Sequence, residues 1–252
     1  VGRFEPFKKF WPQKPKLLFF TEFASAKELY ENWAKKRFDK GEAVQTEKKL
    51  NGYRGIVEKK GKEVRLWFED AKHSYIDKHG YEDIKKVLEG IPDDFILDAS
   101  IGIERGGKPL PRIKLATLLA NVPELKSNDV VLVSVFDIMY WKESVGEKPF
   151  EERRKLLEEF YSKFLKGSKN FEITRKRIVH NYDELKSAVR WAAEQEGSEG
   201  AMAKDLTADY SLKGGTDALA KTKTALEVKV LVLDKIETKK KGTYNYVVGL
   251  GL

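Results

Sequence analysis

The stretch Thr46 to Gly55, TEKKLNGYRG, sets an acid, an amine and an amide at alternate positions. Laid out as a strand, its side chains alternate between faces. Glu47, Lys49 and Asn51 then share one face, and Lys48 and Leu50 share the other. Gly52 permits a sharp bend, and Arg54 follows on its far side. Such a set can do covalent chemistry. A lysine amine attacks phosphorus once it is deprotonated, and neighbouring cations and desolvation both enlarge its neutral fraction. The bland alternative is a solvated hairpin tip. On pattern alone, Asn-Gly flanked by lysines more often marks a turn.

Other elements must hold this stretch in place. Ser25 to Phe38 reads as a helix: Leu29, Trp33 and Phe38 recur near helical spacing, and Ser25 can cap its start. Glu42 to Gln45 lead into the motif as a strand. Gly55 to Lys62 and Glu63 to Phe68 read as a hairpin closed at Lys60-Gly61. Tyr81 to Glu89, Arg112 to Asn121, Phe150 to Phe164 and Asp183 to Gln195 carry helical patterns. Strands are expected at Phe95 to Asp98, Val130 to Met139, Ile173 to Val179, Glu199 to Lys204, Leu226 to Leu233 and Tyr244 to Gly249. The first sixteen residues mix proline, lysine and aromatics without periodicity and read as an extended arm. Strands and helices do not alternate strictly, which favours an α+β fold with antiparallel sheets.

The 252 residues suffice for one large domain or two small ones, and 41% hydrophobic residues allow a sizeable core. Lys and Arg exceed Asp and Glu by eight, a surplus that suits polyanionic partners such as nucleotides or nucleic acid. There is no cysteine, so disulfides, thiolate chemistry and cysteine-based zinc sites are excluded. His73, His79 and His180 are scattered without metal-ligand spacing. No apolar run approaches the length of a membrane span.

Five short motifs occur in one order along the chain: EKKLNGYRG at Glu47, FILDASI at Phe95, VSVFDIMYW at Val133, EGAMAK at Glu199 and KTK at Lys221. Together they resemble the covalent nucleotidyltransferase superfamily, and within it the adenylation domain of ATP-dependent DNA ligases. EERRKLL (Glu151 to Leu157) resembles the arginine-rich helix typical of DNA ligases. The resemblance implies that Lys49 takes AMP from ATP as a lysyl phosphoramidate. It implies that Glu47 receives the adenine amino group, that Arg54 contacts ribose or phosphate and that Phe136 stacks on adenine. Glu199 would hold the ribose or a divalent metal, and Lys221 and Lys223 would meet the triphosphate. Lys204 closes the EGAMAK motif and Asp98 opens the Asp-Gly-Glu-like position. ATP and Mg²⁺ are the implied small-molecule partners and nicked double-stranded DNA the implied macromolecular one. The expected fold is a nucleotidyltransferase domain, ATP-grasp-like, of antiparallel sheets flanked by helices.

Several positions depart from the family pattern. Asn51 stands where an Asp is usual, Ser100 where a Glu is usual, and Ala99 replaces a glycine. Arg65 is a displaced candidate for the arginine that usually follows the hairpin. Arg153 and Arg154 are expected on the solvated side of their helix. The last 28 residues, from 225, resemble the opening strands of an oligonucleotide-binding (OB-type) barrel, too short to complete one. The expected organisation is an arm at 1–16, an adenylation domain at 17–224 and a partial barrel at 225–252, with room for further domains beyond. The expected function is an ATP-dependent DNA ligase, cytoplasmic and nucleoid-associated in a prokaryote. The alternatives are an RNA ligase, a capping-type nucleotidyltransferase, or a catalytically attenuated module that binds nucleotide or nucleic acid.

Overall fold

Strand β2 (Val44–Leu50) and strand β3 (Tyr53–Lys60) are neighbours in the chain but belong to different sheets. The Asn51-Gly52 bend is therefore a crossover, not a hairpin tip. Only glycine fits there: a Cβ on Gly52 would overlap the Ser100 hydroxyl and lie 2.8 Å from the Ile101 carbonyl oxygen. The computed structural model describes residues 21–68, 74–111, 114–115, 126–210, 217–223, 230–237 and 244–250. The arm at 1–16 and most of the expected helix at 112–121 lie outside them.

The first sheet runs β1 (Thr21–Phe23), β12 (Leu219–Lys223), β11 (Ser198–Asp205), β2 and β10 (Lys176–Val179), in that order. It is antiparallel except where β1 lies parallel to β12. The second sheet runs β4 (Glu63–Phe68), β3, β5 (Phe95–Arg105), β7 (Asp129–Trp141) and β8 (Glu143–Ser144). The short β6 (Lys108–Pro109) joins β5, and β9 (Phe171–Ile173) lies parallel to β7. Ile173 to Val179, expected as one strand, is split. Thr174 and Arg175 break it, and its halves pair in different sheets. The hairpin of β3 and β4 pairs Lys60 with Glu63, so Gly61 and Lys62 form the turn.

Each sheet has one face packed on helices. Phe23, Val44, Ala203 and Ala220 of the first sheet pack on Leu29, Trp33, Leu185 and Ala188. These come from the segment α1 (Ala26–Leu29), a π-helical turn (Tyr30–Ala34) and α2 (Lys35–Phe38), and from helix α5 (Tyr182–Ala193). Ser25 caps the first of these, accepting from the Glu28 amide at 3.1 Å as its position suggests. In the second sheet Val57, Leu97, Ala99, Ile101, Val133 and Val135 share a core with α3 (Glu82–Glu89) and α4 (Phe150–Phe160). A smaller apolar cluster joins the remaining faces: Ile56, Ile96, Met139 and Tyr210, with Leu219 of β12 packed against them. The two sheets thus meet along a seam, with polar side chains beside it. Strands β13 (Val230–Glu237) and β14 (Tyr244–Leu250) pair as a separate two-stranded ribbon. Among the described residues no helix is long and apolar enough to cross a membrane.

Candidate active site

Alternation along β2 sends Thr46 and Lys48 one way and Gln45, Glu47 and Lys49 the other. Partners across an antiparallel ladder share a face. Met202 sits opposite Glu47, and Lys221 opposite Met202, so Glu47, Met202 and Lys221 form one cross-strand row. Lys49 and Lys223 lie two residues further along the same face. The opposite face, with Val44, Ala203 and Ala220, is the one covered by helices. The face bearing Lys49 therefore looks towards the second sheet, with both late lysines beside it.

A bulge in β11, between Ser198 and Ala201, re-aims Glu199. Its carboxylate accepts directly from the Lys49 Nζ. Gly200 makes the bulge possible. Its φ is +134°, and a Cβ there would strike the Thr222 carbonyl oxygen of β12. Gly200→Ala is expected to cost about 2 kcal/mol of stability through strain and forced strand separation, and to detach Glu199 from Lys49. Urea unfolding reads the first effect. A stability within about 0.5 kcal/mol of the parent would contradict it.

Glu47 is buried and engaged by three protein donors. It accepts from the Lys204 Nζ at 2.8 Å, the Arg154 Nη1 at 3.3 Å and the Gln45 amide. The family resemblance implies an adenine contact for this carboxylate; in the fold it accepts from three protein donors. Lys204 in turn lies over two rings, 5.0 Å from the centroid of Phe136 and 4.7 Å from that of Phe150. Phe136 is half-buried on β7, so its ring borders the space between the sheets, and Lys204 lies beside it.

Arg54 is held by Asp98, through Nε at 2.9 Å and Nη2 at 2.5 Å, and by the Tyr210 hydroxyl. Asp98 is fully buried and also accepts from Tyr210 at 2.6 Å. Burial and the adjacent Asp98 charge hold the Tyr210 phenol well above its ordinary range. Arg65 pairs with Glu63 on the β3–β4 hairpin, and its guanidinium lies 5.7 Å from the Trp67 ring centroid.

Arg153 and Arg154 are not on a solvated face: both are buried. Arg153 grips Asp137 with Nε and Nη2, each at 2.9 Å. Arg154 bonds Glu47, the Thr174 hydroxyl at 2.9 Å and the Thr174 carbonyl at 2.5 Å. The arginine-rich helix is thus a brace that fixes β2 and β7 relative to one another.

Asn51 departs from the Glu47 and Lys49 face because β2 ends at Leu50. It lines a cavity of about 420 Å³ with Lys48, Ser100, Ser134, Glu172 and Arg175, and its Oδ1 is buried without a hydrogen-bond partner among the described residues. Ser100, in register between Arg54 and Ser134, opens onto the same cavity. Burial pushes up the carboxyl of Glu104, another lining residue, and the Glu172 charge adds to the rise.

Sequence reasoning missed Glu22. It lies beside Lys221 across the parallel β1–β12 pair and accepts from the Nζ atoms of Lys221 and Lys223, each at 2.9 Å. Its only local signal is an acid just before a helix cap.

Residues 25–223 match the family described as ATP dependent DNA ligase domain. The DNA ligase of Methanosphaera stadtmanae is 31% identical over 139 residues, covering 52% of this chain and 24% of that protein. The DNA ligase of Methanocella arvoryzae is 27% identical over 207 residues, covering 78% of this chain and 35% of its own length. This chain thus spans about a quarter to a third of those relatives. Among solved structures, a mycobacterial DNA ligase D complexed with ATP and MES shares the fold at a TM-score of 0.58 and 18% identity, over 87% of this chain and 62% of that one. The ATP-dependent DNA ligase of bacteriophage T7, in complex with ATP, gives a TM-score of 0.58 at 15% identity, over 94% of this chain and 81% of that one. By the family match across most of its length, the chain belongs to the ATP-dependent DNA ligase domain family.

Proposed function

We propose that this chain is the adenylation domain of an ATP-dependent DNA ligase and that Lys49 is its nucleophile. The supporting observation is the convergence of Lys49, Lys221 and Lys223 on one sheet face, opposite a strand that carries Phe136. The Lys49 Nζ forms a bond to the α-phosphorus of ATP as the bond to the β-phosphate oxygen breaks, and pyrophosphate leaves with the electron pair. The Glu199 carboxylate, already in contact with that amine, is placed to receive its proton. Lys221 and Lys223 offset the charge that gathers on the leaving group. Phe136 offers a face for adenine, and Lys204 reports to the buried Glu47 beside it. AMP then passes to the 5′-phosphate at a nick in duplex DNA, and the adjacent 3′-hydroxyl displaces it.

The described residues hold no group of three or more acidic or histidine side chains suited to a metal. Mg²⁺ fits all the same, because it is commonly held by one or two carboxylates and the phosphates of the substrate. Glu199 would hold it, and the ion would offset phosphate charge. Residues 17–224 form the adenylation domain in this reading, and the β13–β14 ribbon opens the OB-type barrel that follows. The surplus of eight positive charges suits backbone contacts to nicked DNA. Its place of action is wherever the genome is, the nucleoid in a prokaryotic cytoplasm.

Intact-protein mass after incubation with ATP and Mg²⁺ tests the reading. The expected result is a gain of one AMP, mapped by peptide analysis to Lys49, with no gain from GTP. Nicked DNA, and not nicked RNA, is expected to be sealed by the complete protein. No adduct with any divalent metal would leave a nucleotide-binding module without transfer, the outcome towards which Asn51 and Ser100 lean.

A further inference from the structure

Glu22 lies just upstream of the segment that matches the family and pairs with both late lysines. Its carboxylate receives both ammonium groups at 2.9 Å. The Lys221 backbone is fixed independently, by β11 on one side and β1 on the other, so Glu22 is not needed to keep the strand in place. What it does fix is where the two amines point. The two ammonium groups draw its pKa down to about 2, so it stays ionised at any pH near neutrality. Lys221 is mostly covered, whereas Lys223 and Glu22 remain open to solvent. Ion pairs exposed to this degree are weak and yield readily to a stronger competitor.

We infer that Glu22 is an internal counter-anion, which holds Lys221 and Lys223 and must surrender them to the polyphosphate of an entering nucleotide. This rests on the nucleotide reading of the cleft given above. One carboxylate is shared between the two amines. A triphosphate brings several negative oxygens and displaces it; a monophosphate competes poorly. Glu22 therefore sets a threshold for phosphate number at the mouth of the site. The same carboxylate can reclaim the lysines once pyrophosphate has formed, which favours product departure.

The test is calorimetric titration of inorganic tripolyphosphate into the parent chain, Glu22→Gln and a Lys221→Ala/Lys223→Ala double variant. Glu22→Gln keeps shape and removes the charge. It is expected to bind tripolyphosphate about three- to tenfold more tightly than the parent at low salt, with the gain shrinking at high salt. The double variant is expected to lose this binding. Binding by Glu22→Gln that is unchanged or weaker overturns the proposal. The AMP-adduct measurement separates the two claims. An adduct on the parent with no tightening in Glu22→Gln removes Glu22's role alone. Tightening without any adduct keeps the counter-anion and removes the nucleotidyl-transfer reading.

Discussion

Lys49→Ala is expected to take no AMP from ATP, a loss of at least about a thousandfold in the rate of adduct formation, while keeping its fold. The loss should be this complete because the lysines nearest to Lys49 among the described residues are engaged elsewhere, as Lys176, opposite Glu47 on β10, is with Glu158. Lys48 is adjacent in sequence but points to the opposite side of β2, where its Nζ donates to the Glu196 carbonyl at 2.5 Å. Lys204 is on the right face but is bound to the buried Glu47 and packed over two aromatic rings. Lys221 and Lys223 are tied to Glu22 at the far side of the row. Lys49→Arg is expected to fail as well, since a guanidinium stays protonated and is no nucleophile. Intact mass reads the adduct, and circular dichroism reports the fold. Labelling of Lys49→Ala at even a tenth of the parent rate would assign the nucleophile to another residue.

How far the sequence carries this picture depends on the range of the interactions involved. Alternation along a strand is a local property, so the shared face of Glu47 and Lys49, and that of Lys221 and Lys223, were legible from spacing alone. Ser25 as a helix cap and the long apolar strand around Val133 were legible for the same reason. The Asn51-Gly52 crossover was not. Its pattern is that of a tight hairpin, and what distinguishes it is which sheet each flanking strand joins, a matter settled by residues far along the chain. Position 51 then leaves the face that alternation assigns to it, because the strand has already ended. The adenine role for Glu47 is implied by a motif resemblance, but the three protein donors that hold it were not legible. Arg154 lies 107 residues away in sequence. Glu22 had no periodic signal, and its importance comes only from the parallel register of β1 on β12.

Arg153 is the sharpest case of a residue misjudged by its own neighbourhood, and its replacement should be the most damaging to stability. Glu151, Glu152, Arg153, Arg154 and Lys155 read as a solvated run. In the fold Arg153 is buried and lies 5.4 Å from the Phe150 ring centroid and 5.7 Å from that of Tyr210. Its Nη1 also donates to the carbonyls of Lys148 at 2.6 Å and Ala208 at 3.0 Å. Arg153→Ala would leave Asp137 buried without its cation, directly across the β5–β7 ladder from the equally buried Asp98. Removing one partner of a buried pair in this way is expected to cost about 3–5 kcal/mol. Arg153→Lys should recover only part of that, because an ammonium cannot reproduce the two-pronged grip on the carboxylate. Adding Asp137→Asn to Arg153→Ala should restore about 1–2 kcal/mol by removing the stranded charge, even though it deletes another native group. Urea unfolding with an unchanged slope measures all three. A cost below about 1 kcal/mol for Arg153→Ala, or a double variant no more stable than the single one, would mean that water reaches Asp137 and that the brace between α4 and β7 is held by packing instead.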